Sequence, residues 1–183
     1  MQLQYETERL LLMVCNDEYA PALLSFMQEN RDFFAPYEPF REPAFYTEAF
    51  QAQVLRAEFQ AMLRQTYFRY YLFLKEDPAH IIGTVSFSNI SRTDDKSCRV
   101  GYKLDKQHTG MGYATEALRF LLPELHKELH IHRVEADILL ENEASLRLIE
   151  RLGFSYEGVA RSSHEICGVW RDHLRYSYIF PHQ

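Results

Sequence analysis

Two glycines two positions apart, Gly110 and Gly112, stand directly ahead of a run in which Ala114, Ala117, Leu118, Leu121, Leu122 and Leu125 follow the i, i+3, i+4, i+7 rule. Val100 to Leu104 reads as a strand, so residues 100–118 make a strand, a glycine-bearing loop and an amphipathic helix. No other stretch constrains the fold as tightly. A helix start leaves its first N–H groups without intrahelical partners, and glycines let the backbone come close to a ligand. The product is an anion site, held firm by the buried face of the helix behind it.

Spacing decides which anion. A P-loop needs a Lys-Ser or Lys-Thr pair after its last glycine, but Gly112 is followed by Tyr113 and Ala114; the dinucleotide fingerprint needs a third glycine where Thr115 stands. What remains is Gln107-x-x-Gly110-x-Gly112-Tyr113-Ala114. It resembles the (Q/R)-x-x-G-x-(G/A) pyrophosphate signature of the GNAT superfamily of acyl-CoA-dependent N-acetyltransferases. Further on, Asn142-x-x-Ser145, then Leu152-Gly153-Phe154, then Glu157-Gly158 are similar to the N-x-x-S…L-G-F…E-G motif of the same superfamily. Both motifs occur in the right order and at the right spacing.

The 183 residues suit a single domain, 1–183, with a sizeable core. A net charge of −6 argues against nucleic acid as a partner, because phosphate contacts need clustered Lys and Arg, and it is compatible with a cationic amine. Cys15, Cys98 and Cys167 are scattered and odd in number, which indicates small buried hydrophobes rather than disulfides or a zinc site. His126, His130 and His132 cluster without a carboxylate or cysteine partner and read as surface histidines, so no metal is expected. The start of the chain has neither a cationic export signal nor an apolar run long enough to enter a membrane, which predicts a cytoplasmic protein.

Along the chain, Thr7 to Val14 is a first strand, followed by a helix capped at Asn16 or Asp17 and ending near Glu29. The segment 31–43, with three prolines and four aromatics, reads as irregular. A second helix runs from Thr47 to about Gln65. Tyr67 to Lys75 and Ile81 to Asn89 form a hairpin with a longer loop, and Ser97 to Leu104 completes a meander. Pro123 should kink the glycine-loop helix or restart it. Arg133 to Leu140 is a strand, 142–152 a short helix ending at Gly153, and Tyr156 to Arg161 with Trp170 to Ile179 the last strand pair. The resemblance implies a mixed α/β fold: a mostly antiparallel sheet of about seven strands, its fourth and fifth splayed, flanked by about four helices.

The same resemblance implies a chemistry. Acetyl-CoA would be the co-substrate, its pantetheine arm on the edge Tyr102, Lys103, Leu104 and its pyrophosphate on Gln107, His108, Thr109, Gly110, Met111, Gly112, Tyr113 and Ala114. Many members protonate the leaving thiolate with a tyrosine after the fifth strand; here that position holds Asn142 and Ser145, as in the RimJ/RimL-like branch of ribosomal-protein N-terminal acetyltransferases. Ser145 then becomes the proton donor, and Asn142 orients CoA or a water, besides capping its helix. The branch often places a glutamate before the Gly-Tyr pair of the fourth strand, where this chain has Arg99. His164, or its neighbour Glu165, is therefore the candidate base, in the hairpin before the last strand. Phe34, Tyr37, Arg41 and Trp170 are the candidates for acceptor contact, with ordinary core cover the alternative for the aromatics.

The acceptor is an amine, either a protein N-terminus, with a ribosomal protein among the candidates, or a small molecule such as a polyamine, an antibiotic or an amino-acid derivative. A non-catalytic CoA-binding module is the alternative that Arg99 leaves open. Monomer and homodimer are both compatible with the residues.

Overall fold

The computed structural model describes residues 1–181. Its strands are β1 (Gln4–Glu6), β2 (Leu10–Met13), β3 (Phe68–Leu74), β4 (Asp77–Ser88), β5 (Ser97–Leu104), β6 (Arg133–Leu139), β7 (Ser155–Ile166) and β8 (Val169–Ile179). Its helices are α1 (Ala20–Glu29), α2 (Arg31–Phe34), α3 (Glu48–Leu63), α4 (Tyr113–Leu129) and α5 (Glu143–Arg151). The eight strands form one sheet in the order β1-β2-β3-β4-β5-β6-β8-β7, antiparallel except between β5 and β6. This is the expected mixed, mostly antiparallel architecture; Gln4–Glu6 pairs with β2 as an additional strand.

Alternation along the strands separates two cores. Phe68, Tyr70 and Leu72 of β3 join the cluster beneath α4, with Val85, Phe87, Val100, Val134 and Ala136. Tyr71 and Phe73 face the other way, onto Leu23, Phe26 and Met27 of α1 and Leu55 of α3. That second cluster ends at β4. On the same face of β5, β6 and β8 stand Arg99, Lys103, Glu135, Asp137, His173 and Arg175, so this half of the sheet is polar where the other half is packed.

Several expectations are corrected. Of the kink or restart expected at Pro123, the restart does not occur and helix α4 runs through it: Leu118, Leu121, Leu122 and Leu125 anchor it on both sides, while Pro123 and Arg119, whose carbonyl loses its partner, lie on the exposed side. The segment 31–43 is only partly irregular: α2 is followed by a 3-10 turn at Ala35–Tyr37 and, after an irregular stretch at 38–42, another at Pro43–Tyr46, with prolines at the turn starts where their missing N–H costs nothing. The hairpin at 75–77 is tight, because β4 already begins at Asp77 opposite Leu74 and absorbs the extra residues as bulges. Cys15 and Cys98 are buried as expected, but Cys167 is exposed at the turn between β7 and β8, where it adopts a positive φ of 49° ahead of Gly168.

The parallel pair carries the feature that organises the site. β5 and β6 are in register only at Ser97↔Arg133, Cys98↔Val134 and Arg99↔Glu135. Beyond Arg99 the two strands part: β5 stays on β4 as far as Leu104, and β6 stays on β8 as far as Leu139. These are the fourth and fifth strands of the expected topology. The wedge between them opens towards the glycine loop and α5.

Candidate active site

At the β5 side of the wedge, the loop from Asp105 to Gly112 is braced from several directions. Asp105 donates its N–H to Ile82 O (2.9 Å), its carboxylate accepts from His108 N (2.8 Å) and lies 2.7 Å from His108 Nδ1, and Lys106 N donates to Asn30 Oδ1 (2.9 Å). The His108 ring thus fixes the loop. Gly112 is the N-cap of α4 at φ 86° and ψ 0°, a conformation costly for residues with a Cβ, and no side chain caps this end. Tyr113, Ala114 and Thr115 have no carbonyl one turn earlier to receive their N–H groups. Arg9 secures the flank: its Nε is 2.7 Å from Glu116 Oε2, Nη1 donates to Met111 O (3.0 Å), and the guanidinium lies 4.4 Å from the Tyr113 ring centre. A cleft of about 620 Å³ beside Gly112 is lined by Arg9, Arg119 and Arg151.

At the β6 side, Asn142 caps α5 by accepting from Ser145 N (3.1 Å). Ser145 therefore sits in the first helical turn, and its Oγ lies 2.7 Å from Tyr102 Oη. The Tyr102 hydroxyl also reaches Ser145 O at 3.2 Å. Burial pushes the Tyr102 phenol up to about 12, partly offset by the Ser145 hydrogen bond, so it is a neutral donor at physiological pH. Tyr102 was expected to contribute backbone only; its side chain joins the two sides of the wedge.

The polar face holds the second group. Asp137 is buried and bound by Arg175 (3.0 and 3.3 Å) and Arg99 (3.2 Å). Burial acts to raise its carboxyl, but the Arg175 hydrogen bonds and the Arg99 charge outweigh this and hold it below the usual range. Such a carboxylate is a poor base. His164 lies against His173, ring centres 4.6 Å apart, and Ser163 Oγ is 3.1 Å from Nδ1 of both rings. Burial, and then the charge of His173, lowers the His164 imidazole despite Asp137 nearby. An imidazole lowered in this way is neutral at pH 7, and its Nδ1 is held by Ser163. Glu165 is exposed, next along a strand whose side chains alternate between faces.

Lys103 also faces this side. Its Nζ bonds Glu38 and lies 5.0 Å from the Phe34 ring centre; burial lowers its ammonium, offset by Glu38. Arg41 reaches the same Glu38 at 3.7 Å and covers the Phe45 ring at 4.7 Å. The exposed Cys167 donates from Sγ to Ala35 O at 3.4 Å. The 35–41 segment is therefore clipped to β5 by Lys103 and to the β7–β8 turn by Cys167. Phe34 is buried, whereas Tyr37 of the segment and Trp170, opposite Glu165 at the start of β8, are exposed. Arg99, Asp137 and His173, together with the side chains of Tyr102 and Lys103, are members of the site that sequence reasoning missed. The alternation Arg133-x-Glu135-x-Asp137 against Val134, Ala136 and Ile138 was the available signal.

A wedge between a fourth and a fifth strand, with a bare helix start at its mouth, is the geometry expected from the two motifs. Residues 9–155 match the family model described as an acetyltransferase (GNAT) domain. The chain belongs to the GNAT acetyltransferase family. Among relatives, the probable N-acetyltransferase YjcK of Bacillus subtilis (strain 168) is 36% identical over 158 residues, 86% of this chain and 87% of the relative. The [ribosomal protein uS5]-alanine N-acetyltransferase of Escherichia coli (strain K12) is 34% identical over 170 residues, 92% of this chain and 86% of the relative. The crystal structure of ribosomal-protein-S5-alanine acetyltransferase from Vibrio fischeri superposes with a TM-score of 0.91 at 31% identity, covering 97% of each chain. The same fold is found, at 24% identity and a TM-score of 0.86 over 94% of this chain and 93% of the other, in the microcin C7 self-immunity acetyltransferase MccE, solved with acetyl-CoA and AMP. The GNAT match takes in the wedge, the glycine loop and Ser145; His164, Glu165 and Trp170 lie beyond it. Among the described residues no group of three or more His, Cys, Asp or Glu is placed to hold a metal ion, and no helix is long and apolar enough to cross a membrane.

Proposed function

We propose that this GNAT chain is a single-domain acetyltransferase that moves acetyl from acetyl-CoA to the α-amine of a protein N-terminus in the cytoplasm, by direct attack in a ternary complex. The observation that carries the reading is the wedge: one strand pair parts to give a backbone edge, a bare helix start at its mouth, a hydroxyl on one side and a neutral imidazole on the other.

Acetyl-CoA fits the residues present. The uncapped N–H groups of α4 and the absent side chains at Gly110 and Gly112 suit a pyrophosphate, and the β5 edge from Tyr102 to Leu104, unpaired to β6, suits an amide-bearing arm. Bound there, it supplies the activated acetyl group. The protein's own tasks follow. His164 takes a proton from the acceptor ammonium so that the neutral amine can attack, Ser145 donates one towards the departing sulfur, and the backbone of β5 orients the reactants, an effect that can supply several kcal/mol. Asp137, bound by two arginines, keeps its charge and sets the field around His164.

Relatives that modify ribosomal-protein alanine support a protein N-terminus as acceptor, and the clipped 35–41 segment offers a wall for an extended peptide. The second reading is a small amine, favoured by the net charge of −6. The test is CoA-thiol release with peptides beginning with Ala, Ser or Met, spermidine and an aminoglycoside. Release with one peptide class supports the proposal, release only with small amines replaces it, and acetyl-CoA binding with silence across the panel favours the non-catalytic module.

A further inference from the structure

Tyr102 and Ser145 meet across the mouth of the wedge, one from β5 and one from the first turn of α5, and their hydrogen bonds are reciprocal. A carbonyl oxygen can only accept, so the 3.2 Å contact with Ser145 O takes the Tyr102 proton. The 2.7 Å contact is then made by the Ser145 proton pointing to Tyr102 Oη. In this arrangement the serine has no proton to offer the wedge. A serine that protonates a leaving group from here must first give up its bond to the tyrosine.

We propose that Tyr102 is the positioning residue for Ser145: as Ser145 turns its proton into the wedge, the Tyr102 hydroxyl turns from the Ser145 carbonyl and donates to Oγ. The inference rests on the proton-donor reading of Ser145. In the transfer, an N–C bond forms, the C–S bond breaks with its electron pair going to sulfur, and sulfur takes the Ser145 proton. Ser145 recovers a proton from water, and the proton shed by the amine passes through His164 to water in exchange. Tyr102 keeps its own proton throughout and supplies only the hydrogen bond. Burial, by raising the phenol, keeps it in that neutral form. The Asn142 oxygen that caps the same turn accepts from Ser145 N and has no proton to give Oγ.

The test is a double-mutant cycle of Tyr102→Phe and Ser145→Ala on the full chain, read as kcat with saturating acetyl-CoA and peptide, the urea midpoint reporting the fold. Loss of a hydrogen bond to developing charge predicts a fall of about tenfold or more in kcat for Tyr102→Phe with acetyl-CoA KM within about twofold. In the Ser145→Ala background the same substitution should cost nothing further. A role in merely pinning α5 through the Ser145 carbonyl would persist in that background, so an undiminished effect of Tyr102→Phe there overturns the inference, as does full activity of Tyr102→Phe beside an impaired Ser145→Ala. Full turnover of Ser145→Ala is a different failure, which removes the proton-donor reading itself. Should Tyr102→Phe not fold, site-specific 3-fluorotyrosine at 102, a stronger donor of nearly the same size, is expected to keep or raise kcat; a large loss would count against the proposal.

Discussion

Gly83 lies opposite Leu104 in the β4–β5 ladder, behind the strand edge assigned to the cofactor arm. A Cβ placed on it would sit 2.5 Å from Leu104 Cδ2 and 2.6 Å from Lys103 O. The leucine tip can rotate away; the carbonyl belongs to the strand. Ordinary contact begins at 3.4 Å, so the backbone at Lys103 must retreat by about 0.8 Å, the difference between 3.4 and 2.6 Å. That retreat also strains the adjoining hydrogen bond from Asp105 N to Ile82 O. Overpacking of this size costs about 1–3 kcal/mol, and at about 2–4 °C per kcal/mol for a chain of this length Gly83→Ala should lower Tm by about 4–8 °C for a mid-range cost. Because the displaced carbonyl belongs to the strand whose opposite edge would carry the pantetheine arm, the Kd for acetyl-CoA should rise as well. Gly101→Ala is the control: its Cβ would meet only Ser86 Oγ, at 3.1 Å, a side-chain atom able to shift by a few tenths of an ångström. Calorimetry and acetyl-CoA titration of both variants decide the matter. A Gly83→Ala protein with wild-type Tm and Kd would show that β5 yields freely at Lys103, and would refute the reasoning that its edge is rigid.

Other expectations are briefer. Because burial and His173 lower the His164 imidazole, its neutral form persists below the ordinary value near 6.5, so the acid limb of the kcat/KM profile should fall below that pH and vanish in His164→Gln. Lys103→Met removes the clip to Glu38 while keeping the stem, which should raise the acceptor KM and leave acetyl-CoA Kd unchanged in isothermal titration. Glu116 accepts from Thr7 Oγ1 (2.6 Å) and from the N and Nε of Arg9; burial acts to raise its carboxyl, yet these bonds outweigh it and lower it. Their stabilisation is complete above the unfolded value near 4.3 and is lost as pH falls through the lower folded value, so Glu116→Gln should cost about 2 kcal/mol at pH 7 in urea melts and less at pH 3. Asn142→Ala loses the α5 cap and should cost about 1 kcal/mol in the same assay.

Wherever the pattern recorded burial, it also recorded the fold. The period of α4 was readable because eight of its residues are buried on one side, and that same burial is why Pro123 failed to stop it: local propensity yields when tertiary packing holds both flanks. The run 31–43 misled at its two ends, in the opposite direction, since prolines that break a long helix are welcome at the start of a short turn, while 38–42 is irregular as read. Cys167 was placed inside by residue type alone, although the following Gly168 already marked a turn that must be exposed. The glycine loop was legible because it is local: two positive-φ residues and a helix start lie within five positions. The polar face was not, since Asp137, Arg99, Arg175 and His173 come from three strands and are neighbours only once the sheet order is known.

Under the proposed function, the Gly101-Tyr102-Lys103 stretch is where that sheet order would convert sequence into a two-substrate site. Side chains along a strand alternate, so adjacent residues cannot serve the same face. Tyr102 points with Val100 towards the α4–α5 side and meets Ser145, where a departing thiol would need a proton. Lys103 points with Arg99 towards the other side and holds Glu38, on the wall an acceptor would use. The backbone between them belongs to both. On the proposed function, one strand that parts from its neighbour would therefore expose an edge for the acyl donor and, through consecutive side chains, reach both reacting partners. A slip of one residue in the β4–β5 register would exchange the faces, putting a buried lysine against the serine and a tyrosine against Glu38. In the native register the residue facing Leu104 and Lys103 O is Gly83, which has no Cβ to meet them, whereas a slip of one residue would bring Ile82 or Thr84 to that place, and this opposes the slip.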